Sequence, residues 1–559
     1  MCGIYGYIGK LNAYKEVYNG LKQLQYRGYD SCGIAYFNNK FKINKTIGPL
    51  NNLTQPLEDN NIAFGHTRWA TNGEVNLLNT HPHVSNNENF IIVHNGIISN
   101  ADTLREKLIN KGFTFYSQTD TEVIANLLES YTGEIATRLA QLYKDLEGSY
   151  SLIIGCKNGD LYAVKQFSPL HVLKSKNGIY ISSDISSLET GELYSLLDGD
   201  ILRIAHDEIE HLTPKKGIYI THKQDSKLPE NNEFPHFMIK EIFETPRAIK
   251  DTYNTLKKAN VSSIFQGITK LTILGCGTAY HSGLIGMHLL EETDMFEINA
   301  FLASNYIVKK DIKPNHLHII ISQSGETADC IKVAEQIKEK GGDILVITNE
   351  KTSTITKYAK FILLTNAKKE IAVASTKTYC CQCFVFAYIQ QKLLSPKCKL
   401  SVNKLTEELT RYINTINIDN IANKLIDKQN MILIGTNIDY VTIMEAALKI
   451  REINYIYTLP MYAVELKHGT LSLVDSSSII FSLNTDENNN KLKNALNEIA
   501  SRGGEVISFD NFVNKRNLKN CFKPIFAIIP FQIISYKVAV LKGYNPDMPR
   551  NLAKSVTVE

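Results

Sequence analysis

Removal of Met1 from Met1-Cys2-Gly3-Ile4-Tyr5-Gly6 leaves a thiol and a free α-amine on one residue, Cys2. The amine, with an ordinary pKa near ~8, can take the thiol proton near neutrality, so nucleophile and base come together without a separate histidine. Attack on a carbonyl also needs donors for the oxyanion, and the Asn95 side-chain amide with the Gly96 backbone N–H is a neutral pair of that type. An α-amino acid substrate needs its zwitterion matched: Arg68 can hold a carboxylate bidentately, and Asp120 can accept from an ammonium. Each residue also has an ordinary reading. His94-Asn95-Gly96 is a common turn tripeptide, Arg68 suits a surface ion pair, and Asp120 suits the cap of a helix starting near Thr121.

A second set lies further along the chain. Ser322-Gln323-Ser324-Gly325-Glu326-Thr327 follows an apolar strand and precedes a helical pattern, which aims hydroxyls, an amide and helix N-terminal N–H groups at one point and suits a phosphate. The GxxxxGK[ST] spacing of a nucleotide P-loop is missing, and plain N-capping would use the same residues. Glu445, Lys449 and Glu452 share one helix face by their spacing, which periodicity alone reads as a solvated charge stripe. His468 follows in a glycine-containing turn. A carboxylate and a histidine are the pair that aldose–ketose isomerisation needs, one moving a proton between adjacent carbons and the other opening the ring.

The elements that must position these groups change rhythm along the 559 residues. Residues 1–220 hold short alternating strands broken by Gly, Asn and Asp, with helical stretches at 14–25, 101–111 and 121–130, which predicts an α+β domain with packed sheets. Residues 221–238 are polar and proline-containing and read as a linker. Beyond them apolar strands alternate with amphipathic helices, a βαβ pattern with parallel sheets. Thr272-Ile273-Leu274-Gly275-Cys276-Gly277 is echoed at Met431-Ile432-Leu433-Ile434-Gly435, so two α/β subdomains of similar plan are expected, 239–400 and 401–544. The tail, 545–559, has two prolines and no helical period, and reads as an extended arm of a kind that is usually disordered.

Bulk properties exclude several classes. A net charge of +4 carries neither a nucleic-acid footprint nor a polybasic membrane anchor, and 43% hydrophobic residues support filled cores. No apolar run approaches the ~20 residues of a membrane span, and the N-terminus lacks a signal-peptide pattern, so a cytoplasmic protein is expected. The ten cysteines include one CxxC spacing at Cys380 and Cys383 without a matching second pair. Small side chains packed in a helix are expected there, rather than zinc ligands.

Taken together the motifs point to families. CGIYGYIG (2–9), YRGYDSCGIA (26–35, with Arg27 and Gly28), HTRWATNG (66–73), THPH (80–83), HNG (94–96) and TDTE (119–122) occur in an order that resembles the N-terminal-nucleophile glutamine amidotransferases. The resemblance implies a layered αββα glutaminase domain in which Cys2 attacks L-glutamine and releases ammonia. Asn95 and Gly96 would form the oxyanion hole, and Arg68, Thr71 and Asp120 would hold glutamine. SQSGETAD (322–329), CGTAYHSG (276–283) and VASTKTY (373–379) resemble the sugar isomerase family, implying phosphosugar contacts at Thr278, Ser322, Gln323, Ser324, Thr327 and Ser375.

EAALKIREINYIY (445–457), ELKHG (465–469) and DMPRNLAKSVTVE (547–559) resemble the isomerising sugar-phosphate amidotransferases, which join both modules. That likeness runs the whole chain. It implies fructose 6-phosphate as acceptor, a tail at 545–559 that closes the sugar site, a Schiff base on Lys554, proton transfer from C1 to C2 by Glu452 and ring opening by His468. It further implies that His468 comes from the neighbouring subunit of a homodimer, that Glu445 and Lys449 support the same helix face, and that Trp69, the only tryptophan, gates an ammonia channel. No metal, organic cofactor, nucleic acid or membrane is called for. Departures from the family pattern are Asn72 in place of histidine, Ala279 in place of serine, Asn305, Leu459 and Val464. Ala279 and Leu459 leave open a different ketose phosphate as acceptor. A phosphosugar-binding regulator without catalysis is disfavoured by the presence of Cys2, Glu452, His468 and Lys554.

Overall fold

Period-two alternation in the first strand decides the layering of the amino-terminal half. In Gly3–Gly9, Ile4 and Ile8 enter a core with Phe64, Ile91, Val93 and Ile153, whereas Tyr5 and Tyr7 enter one with Tyr14, Val17, Leu21 and Leu24 of helix Ala13–Leu24. The helix starts where the Asn12 side chain accepts from the Lys15 N–H at 3.1 Å. The computed structural model describes every residue except 1, 57, 207, 215, 216, 218, 224–232, 396–399, 487, 488, 515, 517 and 555–559. Half of the linker expected at 221–238 and the last part of the tail therefore lie outside the described residues. The chain divides into two units, 1–230 with 553–559, and 231–552.

In the first unit an eight-stranded antiparallel sheet places Gly3–Gly9 between Gly178–Ser182 and Ile62–Arg68. A six-stranded antiparallel sheet is built around Phe90–Ile98 and Gly148–Cys156. Ile91 and Val93 face the eight-stranded sheet, and Phe90 and Ile92 face the helices Ala101–Asn110, Asp120–Ser130 and Ile135–Asp145. Helix, sheet, sheet, helices is the αββα layering expected.

The second unit carries two parallel sheets. Lys270–Gly275 pairs with Glu297–Leu302 and His316–Ile321, continuing to Asp343–Thr348 and Phe361–Leu364. Asn430–Gly435 pairs with Tyr457–Tyr462 and Ile479–Ser482, continuing to Glu505–Ser508. A single core containing Ile273, Ile319, Phe386, Ile443, Phe481 and Phe526 runs through the helices of both sheets. Helix Ala328–Glu339 covers the other face of the first sheet, and Asn490–Ala500 covers that of the second.

Asn520–Leu541 is long and apolar enough to cross a membrane by length and composition, contrary to the reading that no run approaches that size, but 83% of its apolar window is buried within the fold. Being apolar all round, it is a core helix. Cys380, Cys381 and Cys383 are buried in helix Lys377–Leu394, where burial pushes each thiol up.

Candidate functional site

In the amino-terminal unit Cys2 immediately precedes the first strand, whose pairing with Ile62–Arg68 brings the sulfur to the end of that neighbour. The Trp69 N–H donates to Cys2 Sγ at 3.3 Å, and Trp69 O lies 3.4 Å from the same sulfur. Asn95 Nδ2 donates to the Cys2 carbonyl at 3.0 Å, so the amide expected to stabilise an oxyanion sits on the nucleophile's own residue. Burial pushes the Cys2 thiol up, and the Trp69 N–H and Arg68 only partly offset it.

His94-Asn95-Gly96 is not a turn. It lies inside strand Phe90–Ile98, where Gly96 has φ +136° and a β-carbon would meet Ser149 O at 1.8 Å, so only glycine fits. Arg68 is not a surface ion pair either. It is buried, and its guanidinium donates to the carbonyls of Asn72 (2.5 Å), Gly73 (3.3 Å) and Glu74 (3.1 Å), holding the exposed loop that carries Thr71. Asn72 contributes through its backbone oxygen there, an interaction that any residue at this position could make. The helix cap is Thr119, whose hydroxyl accepts from the Glu122 N–H. Asp120 is thereby released from capping: Oδ2 accepts from the Ile98 N–H at 3.0 Å, and Oδ1 lies 3.8 Å from His94 Nδ1.

Sequence reasoning did not foresee two supports of this site. Asp30 Oδ2 accepts from the Ala70 N–H at 2.8 Å, pinning the residue after Trp69. Beneath the site lies a buried layer of His66, His81, His83 and His94, with His66 stacked on His81 at 4.0 Å and Thr121 Oγ1 within 3.3 Å of both His81 Nε2 and His94 Nδ1. Burial lowers all four pKa values, and for His66, His81 and His83 nearby positive charge adds to it. The neutral rings therefore favour the folded unit above pH about 6.5, the ordinary imidazole value, and that stability is lost as pH falls through the lower folded values. Urea unfolding followed by Trp69 fluorescence should show a midpoint that falls between pH 7 and pH 5, the extrapolated unfolding free energy falling with a slope approaching about 5 kcal/mol per pH unit if all four rings take up protons on unfolding. A midpoint that holds or rises over that range contradicts a neutral layer.

In the second unit the loop after strand His316–Ile321 closes on itself. Ser322 Oγ accepts from the Gly325 N–H at 3.1 Å and lies 2.9 Å from Thr327 Oγ1, while Ser324 Oγ accepts from the Glu326 N–H at 3.2 Å. The Gln323 carbonyl accepts from the Asn349 N–H at 3.1 Å. Gly325, at φ +67° and against Ser353, permits the bend, and Thr327 caps helix Ala328–Glu339 without a side-chain bond to it. Ser375 Oγ donates to Glu370 Oε2 at 2.8 Å, and Glu370 Oε1 accepts from the Thr376 and Thr378 N–H groups. Glu370 is a support that the motif alone did not reveal.

Glu445, Lys449 and Glu452 correct the reading of a solvated stripe. On helix Asn437–Asn454 the first two side chains are 0% exposed and Glu452 is 20% exposed. Lys449 Nζ donates to Glu452 Oε2 at 2.6 Å and to Thr278 Oγ1 at 3.2 Å, and it lies 3.4 Å from Glu445 Oε1. Glu445 accepts from Thr278 Oγ1 at 3.1 Å and meets His281 Nδ1 at 2.7 Å. Burial alone would neutralise both ions. The opposite charges outweigh it, holding Glu445 below the usual carboxylate range and raising Lys449. His281 went unused in the motif reading, although it stands three residues after Thr278 on the same helix.

His468 is exposed at the end of Ala463–His468, and Lys554 is partly buried. The tail before Lys554 is tied down, unlike the usual extended arm. Asp547 caps helix Phe237–Leu256, accepting from Phe237 N–H at 2.8 Å and Met238 N–H at 2.7 Å, and its carbonyl accepts from Val373 N–H at 3.1 Å. Arg550 N–H donates to Tyr455 OH at 2.8 Å, with its guanidinium 4.1 Å from the centre of that ring.

A glutamine amidotransferase domain model matches residues 66–190, and a SIS domain model matches 264–389 and again 424–537. Glutamine–fructose-6-phosphate aminotransferase (isomerizing) of Caldanaerobacter subterraneus subsp. tengcongensis is 37% identical over 609 residues, covering 100% of both chains. Its namesake in Pyrococcus horikoshii is 36% identical over 602 residues, again covering 100% of both chains. The chain belongs to this aminotransferase family. The C-terminal domain of glucosamine-fructose-6-phosphate aminotransferase from Francisella tularensis superposes with a TM-score of 0.51 at 29% identity, covering 57% of this chain and 100% of that one. Within the aminotransferase family the duplicated SIS match falls on the two parallel sheets, as the repeated strand and glycine turn anticipated.

Proposed function

We infer that the chain hydrolyses L-glutamine at Cys2 and delivers the ammonia to fructose 6-phosphate with ketose–aldose isomerisation, giving glutamate and glucosamine 6-phosphate. What carries this reading is a likeness to the aminotransferase relatives that spans the whole of both chains, so neither half stands alone. Once Met1 is gone, the α-amine of Cys2 takes the thiol proton and the sulfur attacks the glutamine amide. Asn95 Nδ2 and the Gly96 N–H receive the oxyanion, Asp120 takes the substrate ammonium, and Arg68 with the loop of Thr71 takes its carboxylate. Trp69, against the sulfur, is the proposed gate for ammonia.

At the other site Thr278, Ser322, Gln323, Ser324, Thr327 and Ser375 take the phosphate. The Lys554 amine condenses with the ketone, and Glu452, held by Lys449 at 2.6 Å, moves the proton from C1 to C2. His468 opens the ring, and its exposure supports a homodimer in which it serves the neighbouring subunit. The division at 239–400 and 401–544 remains the proposed subdomain plan. Glutamine-dependent amination of a panel of ketose phosphates tests the assignment: preference for fructose 6-phosphate is expected, and preference for another ketose phosphate would replace it as acceptor.

The tail supplies a quantitative prediction. Loss of a capping side chain costs about 1 kcal/mol, so Asp547→Ala should loosen the tail that carries Lys554 roughly fivefold. Synthesis should fall by a similar factor while glutaminase activity is kept. Equal loss of both, or of neither, contradicts a role confined to the tail.

A further inference from the structure

Behind the phosphate loop two thiols face each other. Cys276 Sγ and Cys330 Sγ lie 3.9 Å apart, and both cysteines are free. Cys276 follows strand Lys270–Gly275 and stands two residues before Thr278; Cys330 is in the first turn of helix Ala328–Glu339, three residues after Thr327. Cys330 is buried within the core on the outer face of the first sheet, whereas Cys276 is partly exposed at the edge of that core.

We propose that Cys276 and Cys330 form an oxidation site, closing to an intramolecular disulfide under a peroxide and weakening the sugar-phosphate cradle beside it. The sulfur separation is within reach: a disulfide requires about 2.05 Å, so the two atoms approach each other by about 2 Å in total. The thiols are also unequal. The Cys330 S–H lowers the pKa of Cys276 by hydrogen bonding to it, while the same contact and burial raise that of Cys330. Cys276 is therefore the attacking thiolate and Cys330 the resolving thiol.

The chemistry balances with hydrogen peroxide as oxidant. Cys276 attacks one peroxide oxygen, an S–O bond forms as the O–O bond breaks, and water leaves with the proton taken up. Cys330 then attacks the sulfenic sulfur, the S–S bond forms as the S–OH bond breaks, and a second water leaves with the Cys330 proton. Two sulfurs lose two electrons in all, and the peroxide is reduced to two waters. The bond ties the start of the helix that carries Thr327 to the strand end that leads to Thr278. Both residues belong to the proposed phosphate site, and the identity of its ligand rests on the function proposed above.

The test uses full-length Cys2→Ala protein, so that oxidation of the terminal thiol cannot contribute. After treatment with slight excess hydrogen peroxide, alkylation and peptide mapping should find the peptides of Cys276 and Cys330 joined, and in Cys330→Ser a sulfenic acid trapped at Cys276. Both thiols alkylated separately at full occupancy would overturn the oxidation site, whatever the protein binds. Calorimetry with fructose 6-phosphate, and in parallel with inorganic phosphate, should show binding by the reduced protein weakened about fivefold or more on oxidation and restored by dithiothreitol. A disulfide that forms without changing either affinity overturns the coupling; reduced protein that binds phosphate but not fructose 6-phosphate counts against the acceptor assignment alone.

Discussion

Replacing Cys2 with alanine should lower glutamine-dependent synthesis by about 10⁴-fold or more, the scale seen when a covalent nucleophile is deleted. Synthesis from added ammonia should continue. The expectation follows from how little else near the sulfur could replace it. Trp69 offers only its backbone, at 3.3 Å and 3.4 Å, and the neighbouring His66 and His94 are buried and held neutral. Burial also pushes the thiol up, so thiolate is scarce until an amine on the same residue removes the proton. A chain extended at its N-terminus, or one that keeps Met1, should behave like Cys2→Ala in glutamine use while sparing the sugar site. Unchanged glutamate release from Cys2→Ala would sink the nucleophile assignment.

Lys554→Ala should remove aminosugar synthesis to a similar degree while leaving basal glutaminase measurable, and Lys554→Arg should not rescue it. A Schiff base needs a neutral primary amine, and a guanidinium stays protonated at any accessible pH and cannot condense with the ketone. The chain up to Leu552 is anchored by Asp547 on helix Phe237–Leu256 and by Arg550 on Tyr455, so the segment that precedes the lysine is held in place. Glu452 then has a defined partner: Lys449, charged between two carboxylates, holds one Glu452 oxygen and leaves the side chain 20% exposed. Aminosugar made by Lys554→Ala at wild-type rate would refute the covalent assignment.

Much of this was legible because it is local. The short alternating strands of residues 1–220 predict packed sheets, and the strand and glycine turn at Gly275 and Gly435 predicts the doubled parallel plan. What was misread depends on partners far along the chain. The spacing of Glu445, Lys449 and Glu452 gives a common helix face but not what covers it; helix Thr278–Glu291 does, through Thr278 and His281. His94-Asn95-Gly96 resembles a turn until Ser149 on the paired strand is placed against Gly96. The tail has no period of its own, and the placement of its described part comes from Asp547 meeting a helix start 310 residues earlier in the chain. The ordinary readings of Arg68 as a surface ion pair and of Asp120 as the helix cap fail for a smaller reason: capping and loop-holding bonds compete for the same side chains, and geometry alone decides between them.

The central claim is that one chain passes nitrogen from glutamine at Cys2 to a sugar phosphate at the second site. Turnover of [amide-¹⁵N]glutamine and fructose 6-phosphate in the presence of unlabelled ammonium tests it most directly. Glucosamine 6-phosphate should carry the label without dilution, with one glutamate formed per aminosugar. Label diluted to the level of the free ammonium pool, or glutamate formed without aminosugar, would contradict a coupled two-site transfer.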